Sequence, residues 1–192
     1  ISLVRTISRI TSLIGGTLLI ALTMLTCMSV VGRMLNSFLH LDQVQMATPV
    51  LANRLIETGI GPVIGDYELL EAGMACVIFA FLPLCQLQSG HACVNIFTDR
   101  LPKKIRGGLI CMAEIGFALA LILIAWQLGN GLGDKYRSHE TTSLLEMPVW
   151  YGYAAALLMA YAAAFVATSV AYYQCMEQFF GRPNKLQEQA GK

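Results

Sequence analysis

Glu68, Glu71 and Glu114, together with six cysteines and three histidines, are the side chains of this 192-residue chain that could do chemistry in an apolar setting. Glu68 and Glu71 stand three apart in Gly65-Asp66-Tyr67-Glu68-Leu69-Leu70-Glu71, so a helix would carry both on one face. Asp66 is suited to cap that helix, and acids in its first turns sit where the helix dipole favours negative charge. Glu71 is the more demanding of the two, because it falls one turn into an apolar run where an ionised group needs water or a partner. Two roles fit the pair: snorkelling to the membrane boundary, or anchoring an arginine or lysine of another subunit. Glu114 is isolated within its run and close to basic residues, which points to pairing with a neighbouring cation rather than to a proton or ion relay.

The remaining candidates are less suggestive. Cys27, Cys76, Cys85, Cys111 and Cys175 lie in or at the ends of apolar runs, Cys93 lies just beyond one, and no CxxC pair occurs. They are read as small apolar side chains, with neither disulfide, metal nor redox chemistry expected of them. His40, His91 and His139 all fall outside the apolar runs, so the facing pairs that hold membrane haem are missing. No cofactor and no enzymatic activity are expected.

The elements that must position these residues are four apolar runs, at about 10–31, 69–87, 108–128 and 149–173. A hydrocarbon core of about 30 Å takes roughly 20 residues of helix to cross, so each run is long enough for one passage. Composition agrees: 56% of residues are hydrophobic, 13% are charged, and mean hydropathy is +0.59. The runs are continuous and lack the alternation of a barrel strand. The fold expected is therefore an all-α integral membrane protein with four transmembrane helices in a single domain spanning 1–192. The first run is longer than the apolar part of a secretory leader and is read as a retained span.

Charge sets the expected orientation. Nine of the thirteen lysines and arginines flank the same side of the runs: Arg5, Arg9, Arg100, Lys103, Lys104, Arg106, Arg182, Lys185 and Lys192. Retention of positive segments in the cytoplasm places both termini inside. Arg33, Arg54, Lys135 and Arg137 fall on the other side with most of the acids. Basic residues divided among three short segments at a membrane boundary form no nucleic-acid surface.

Two connecting segments are amphipathic. In the outer one, 34–62, Leu35, Phe38, Leu39, Leu41, Val44, Val50, Leu51, Leu55 and Ile56 recur among polar residues, as in short helices lying on a membrane or a partner. In the inner one, 93–106, Val94, Phe97, Leu101 and Ile105 alternate with Arg100, Lys103, Lys104 and Arg106, a pattern suited to an anionic leaflet, with His91 just ahead of it. The fourth run opens with Glu146-Met147-Pro148-Val149-Trp150, where proline suits a first helical turn and Trp150, Tyr151 and Tyr153 form an interfacial anchor. Behind them, Gly152 and repeated alanines give this helix a small-residue surface for close packing.

These pieces, in this order, resemble one family. The acidic start of the second run, Gly90-His91 and Val94 ahead of Leu101-Pro102-Lys103-Lys104-Ile105-Arg106, and the Glu146-to-Trp150 opening are similar to the DctQ family, the small membrane subunit of tripartite ATP-independent periplasmic (TRAP) transporters. The likeness extends from about residue 10 to 175; the outer segment is longer than the family pattern, and Asn95 stands where an acid is common. The resemblance implies a scaffold in the bacterial inner membrane for a large transport subunit. That subunit would take up an organic acid with Na⁺, delivered by a periplasmic solute-binding protein. On this reading Glu68, Glu71 and Trp150 would meet a partner, while His91, Arg100, Lys103, Lys104 and Arg106 would lie at the inner interface with lipid. A four-helix membrane oxidoreductase subunit, a stand-alone small transporter and a structural tetraspan protein are the alternatives.

Overall fold

Apolar residues in unbroken succession can leave water only if every backbone N–H and C=O is paired within the segment, which a helix achieves alone. In the computed structural model, which describes residues 2–40, 63–88 and 103–180, four helices do so: α1 (Ser2–Leu39), α2 (Asp66–Leu87), α3 (Lys103–Ser138) and α4 (Trp150–Phe180). All four are long and apolar enough to cross a bilayer. Among the described residues there is no strand, only an isolated antiparallel bridge between Thr141 and Pro148.

Successive helices run antiparallel, so the structure has a terminal end, where α1 starts and α4 finishes, and a hairpin end, where α3 turns into α4. Their order in space is not their order in sequence. α1 packs on α2, α2 on α4, and α4 on α3, with a smaller contact between α1 and α4. The small side chains of α4 make its central position possible: Ala163, Ala164, Ala167 and Ala171 pack with Ala118 and Leu121 of α3. At the terminal end Val166 and Val170 close over Val4 of α1 and Leu87 of α2. Large apolar side chains such as Leu13, Met28, Ile78, Met112, Leu123 and Leu158 point outward, the inversion a lipid solvent permits.

Close approach depends on two glycines. A Cβ at Gly152 would stand 2.9 Å from Ala72 Cβ and 3.5 Å from Ala72 Cα, and one at Gly15 would stand 2.8 Å from Ala80 Cβ. Both neighbours are backbone-proximal atoms that cannot swing aside, so α2 meets α4 and α1 at nearly the minimum separation.

The helix bounds refine the expected ones. α1 continues through Leu39 and so takes in the first residues of the expected outer segment 34–62, while 41–62 lie outside the described residues. α3 begins at Lys103, so Lys103, Lys104 and Arg106 form its first turn, and it runs on past the expected limit at 128 to Ser138. His91, Arg100 and positions 93–102 of the inner segment are outside the described residues. α2 starts one residue away from the expected cap. Gly65, with φ of 78°, is the cap residue, and Asp66 is the first helical residue, its Oδ1 accepting from Tyr67 N at 2.8 Å. Pro148 likewise precedes α4 rather than occupying its first turn, because its bridge to Thr141 holds it in the hairpin.

The cysteines require one correction. Cys111 of α3 and Cys175 of α4 form a disulfide, with Cα atoms 5.5 Å apart. The sequence points to small apolar residues only, since neither is in a CxxC pair or an expected outer loop. The antiparallel register of α3 and α4 brings the two level near the terminal end, a coincidence that local spacing does not show.

Candidate partner-facing site at the hairpin end

Eleven residues, 139–149, connect α3 to α4, and their conformation is set by an acid from elsewhere in the chain. Val149 N donates to Glu140 O at 3.0 Å and Thr142 N to Met147 O at 2.9 Å, making a short antiparallel ladder. The Thr142 hydroxyl oxygen also accepts from Met147 N at 3.1 Å. The tip of this hairpin leaves the N–H groups of Leu144 and Leu145 pointing toward α2. Glu68 receives both, at 2.8 Å on Oε1 and 3.0 Å on Oε2. One carboxylate thus holds the α3–α4 connection onto the start of α2 through two charge-assisted bonds. Leu145 in turn lies over Gly65, where a Cβ would collide with its side chain, so the left-handed glycine serves the turn and the docking together.

Neighbouring groups brace the same end. Arg33, near the end of α1, pairs with Asp66 at 3.4 Å; its side chain is 63% exposed, which keeps the contribution of this pair small. Lys135 donates to Glu140 across the end of α3, and that bond holds the pKa of the Glu140 carboxyl below its ordinary value. Trp150 is half-buried, stacked on Tyr151 with centroids 4.2 Å apart and edge-on to Tyr136 of α3 at 5.6 Å. These rings bring Trp150 and Tyr151 of the expected aromatic group together with Tyr136, a member that the sequence does not single out; Tyr153 has no part in the ring contacts among the described residues.

Between the hairpin, α2, α3 and α4 lies a cleft of about 540 Å³. Its lining is mainly apolar, including Leu69, Ala72, Leu128 and Val149, with Glu68, Glu71, Lys135 and Glu140 among its polar members. Glu71 differs from Glu68. It is exposed and makes no hydrogen bond or ion pair among the described residues. Their spacing suggests that the two acids act as a pair, whereas the structure brings both to one cleft and leaves only Glu71 unengaged.

At the terminal end, Glu114 is 6% exposed and accepts a hydrogen bond from Nε2 of Gln86, itself 1% exposed. An amide of α2 is thus one partner of this carboxylate. The signal that could have found Gln86 is a polar residue at the close of an apolar run. Lys103, Lys104 and Arg106 stand at the start of α3 on this same end.

A family model matches residues 22–177: Tripartite ATP-independent periplasmic transporters, DctQ component. The chain belongs to the DctQ family. The matched region runs from the middle of α1 nearly to the end of α4, taking in Glu68, Glu71, Glu114 and Trp150. No curated protein and no solved structure matches the chain significantly. As a DctQ member, it is a multi-pass membrane protein and the small permease subunit of a TRAP transporter.

Proposed function

We propose that this DctQ subunit is a static scaffold for a large transport subunit in the bacterial inner membrane, with both termini in the cytoplasm. The large subunit carries an organic acid inward with Na⁺, and a periplasmic solute-binding protein delivers the acid. The observation that carries the interface is the contrast between two acids of one cleft: Glu68 is engaged within the chain, whereas Glu71 is open. An unengaged carboxylate beside an apolar cleft suits an arginine or lysine of the larger subunit, whose aliphatic stem lies along the apolar lining. Trp150 and the hairpin edge complete that surface, and Glu68 contributes by holding the hairpin in place. His91, Arg100, Lys103, Lys104 and Arg106 are assigned, by charge, to the inner interface with anionic lipid headgroups.

Co-purification of the large subunit with E71A and W150A variants tests the reading. Each variant should fold and insert normally yet recover less of the large subunit, and the double variant should reduce solute uptake by the reconstituted complex. Full assembly and uptake with both substitutions would remove these residues from the interface. Solute accumulation in liposomes holding only this chain would overturn the scaffold role itself.

A further inference from the structure

The Cys111–Cys175 bond lies at the terminal end, beside the start of α3 that carries Lys103, Lys104 and Arg106 and close to where α4 ends. Under the positive-inside rule that end faces the cytoplasm, where thiols are kept reduced and disulfides are transient or sensory. A covalent link whose geometry the fold provides, in a compartment that does not sustain one, points to reversible use. We propose that Cys111 and Cys175 are a thiol–disulfide exchange site, reduced at rest and closed by a low-molecular-weight disulfide of the glutathione type. This inference rests on the inward placement of the termini proposed above.

Three observations support it. The cysteines come from two different helices packed against each other, with Cα atoms 5.5 Å apart, the separation that a disulfide spans. The α3–α4 pair is the most extensively packed in the molecule and has its own alanine-rich cluster, so opening the bond leaves the fold standing. Cys111 is buried whereas Cys175 is partly accessible, which assigns the order of attack. The Cys175 thiolate attacks one sulfur of the glutathione disulfide, forming a mixed disulfide and expelling one glutathione thiolate. The Cys111 thiolate then attacks Cys175 Sγ and expels the second. Two protein thiols are oxidised, one glutathione disulfide is reduced to two glutathiones, and the two thiol protons pass to the expelled thiolates. Closure fastens the first turns of α3 to the last turns of α4, and reduction frees them.

The test uses the full chain with its companion subunits in native membranes, acid-quenched, alkylated and analysed by peptide mass spectrometry. Membranes from unstressed cells should show both cysteines alkylated. Oxidised glutathione does not cross membranes; added to inside-out vesicles it should abolish alkylation of both and yield the Cys111–Cys175 peptide pair, and dithiothreitol should reverse this. Right-side-out vesicles should not respond. A bond already complete in unstressed cells, closure driven only from the outer face, or no closure from either face each overturns the proposal. Uptake and subunit co-purification are measured in the same preparations, so loss of the scaffold reading shows as failed assembly and loss of the thiol site as failed linkage.

Discussion

Glu68 governs the hairpin because of what its two oxygens receive. Leu144 N and Leu145 N have no carbonyl partner among the described residues, so removing the carboxylate leaves two donors to water and frees the segment from α2. In E68A the amides of Leu144 and Leu145 should exchange with deuterium on the order of tenfold faster than in the native chain, while amides in the middle of α2 and α4 keep their protection. E68Q, which keeps one acceptor oxygen but not the charge, should fall between them. Unchanged exchange in E68A would sink the capping role. Which of the two acids is bound internally is not legible from Glu68 and Glu71 three residues apart, because the answer depends on a loop more than seventy positions away in sequence.

Helices α2 and α4 show how packing follows from side-chain size. The Gly152–Ala72 and Gly15–Ala80 contacts leave no room for a branched residue, so G152L or G15L must push apart helices whose backbones nearly touch. Each should lower stability by about 1–3 kcal/mol, seen as a lower thermal midpoint in detergent. A Cβ at Gly16 would meet nothing within 4 Å, and G16A should leave the midpoint unchanged or raise it. Equal losses at positions 15 and 16 would contradict the close-packing account. Existence and type of all four helices are evident in the sequence, since hydropathy needs no tertiary information. Their ends are not: α3 continues through Gly129, Gly131 and Gly133, residues that read as an exit from a helix, because Tyr153 and Leu157 of α4 pack beside the first two. Partner choice is also hidden, because the apolar faces of α1 and α3 look alike until α4 supplies the alanines. The same blindness conceals the Cys111–Cys175 pair and the Gln86–Glu114 bond, both of which follow from helix register.

At the level of the whole molecule the asymmetry of charge makes the orientation testable. Reporter fusions at either terminus should be active only as cytoplasmic reporters, and one inserted in the 139–149 hairpin only as a periplasmic reporter. A periplasmic signal from either tail would reverse the scheme. The spatial order of the helices has its own consequence. Among the described residues α4 touches each of the other three helices, so the rods gather about it. A cluster seated on one central rod leaves the outward sides of α1 and α3 rich in large apolar side chains, so a heavier neighbour leaning there would be steadied along a rod rather than at a single point.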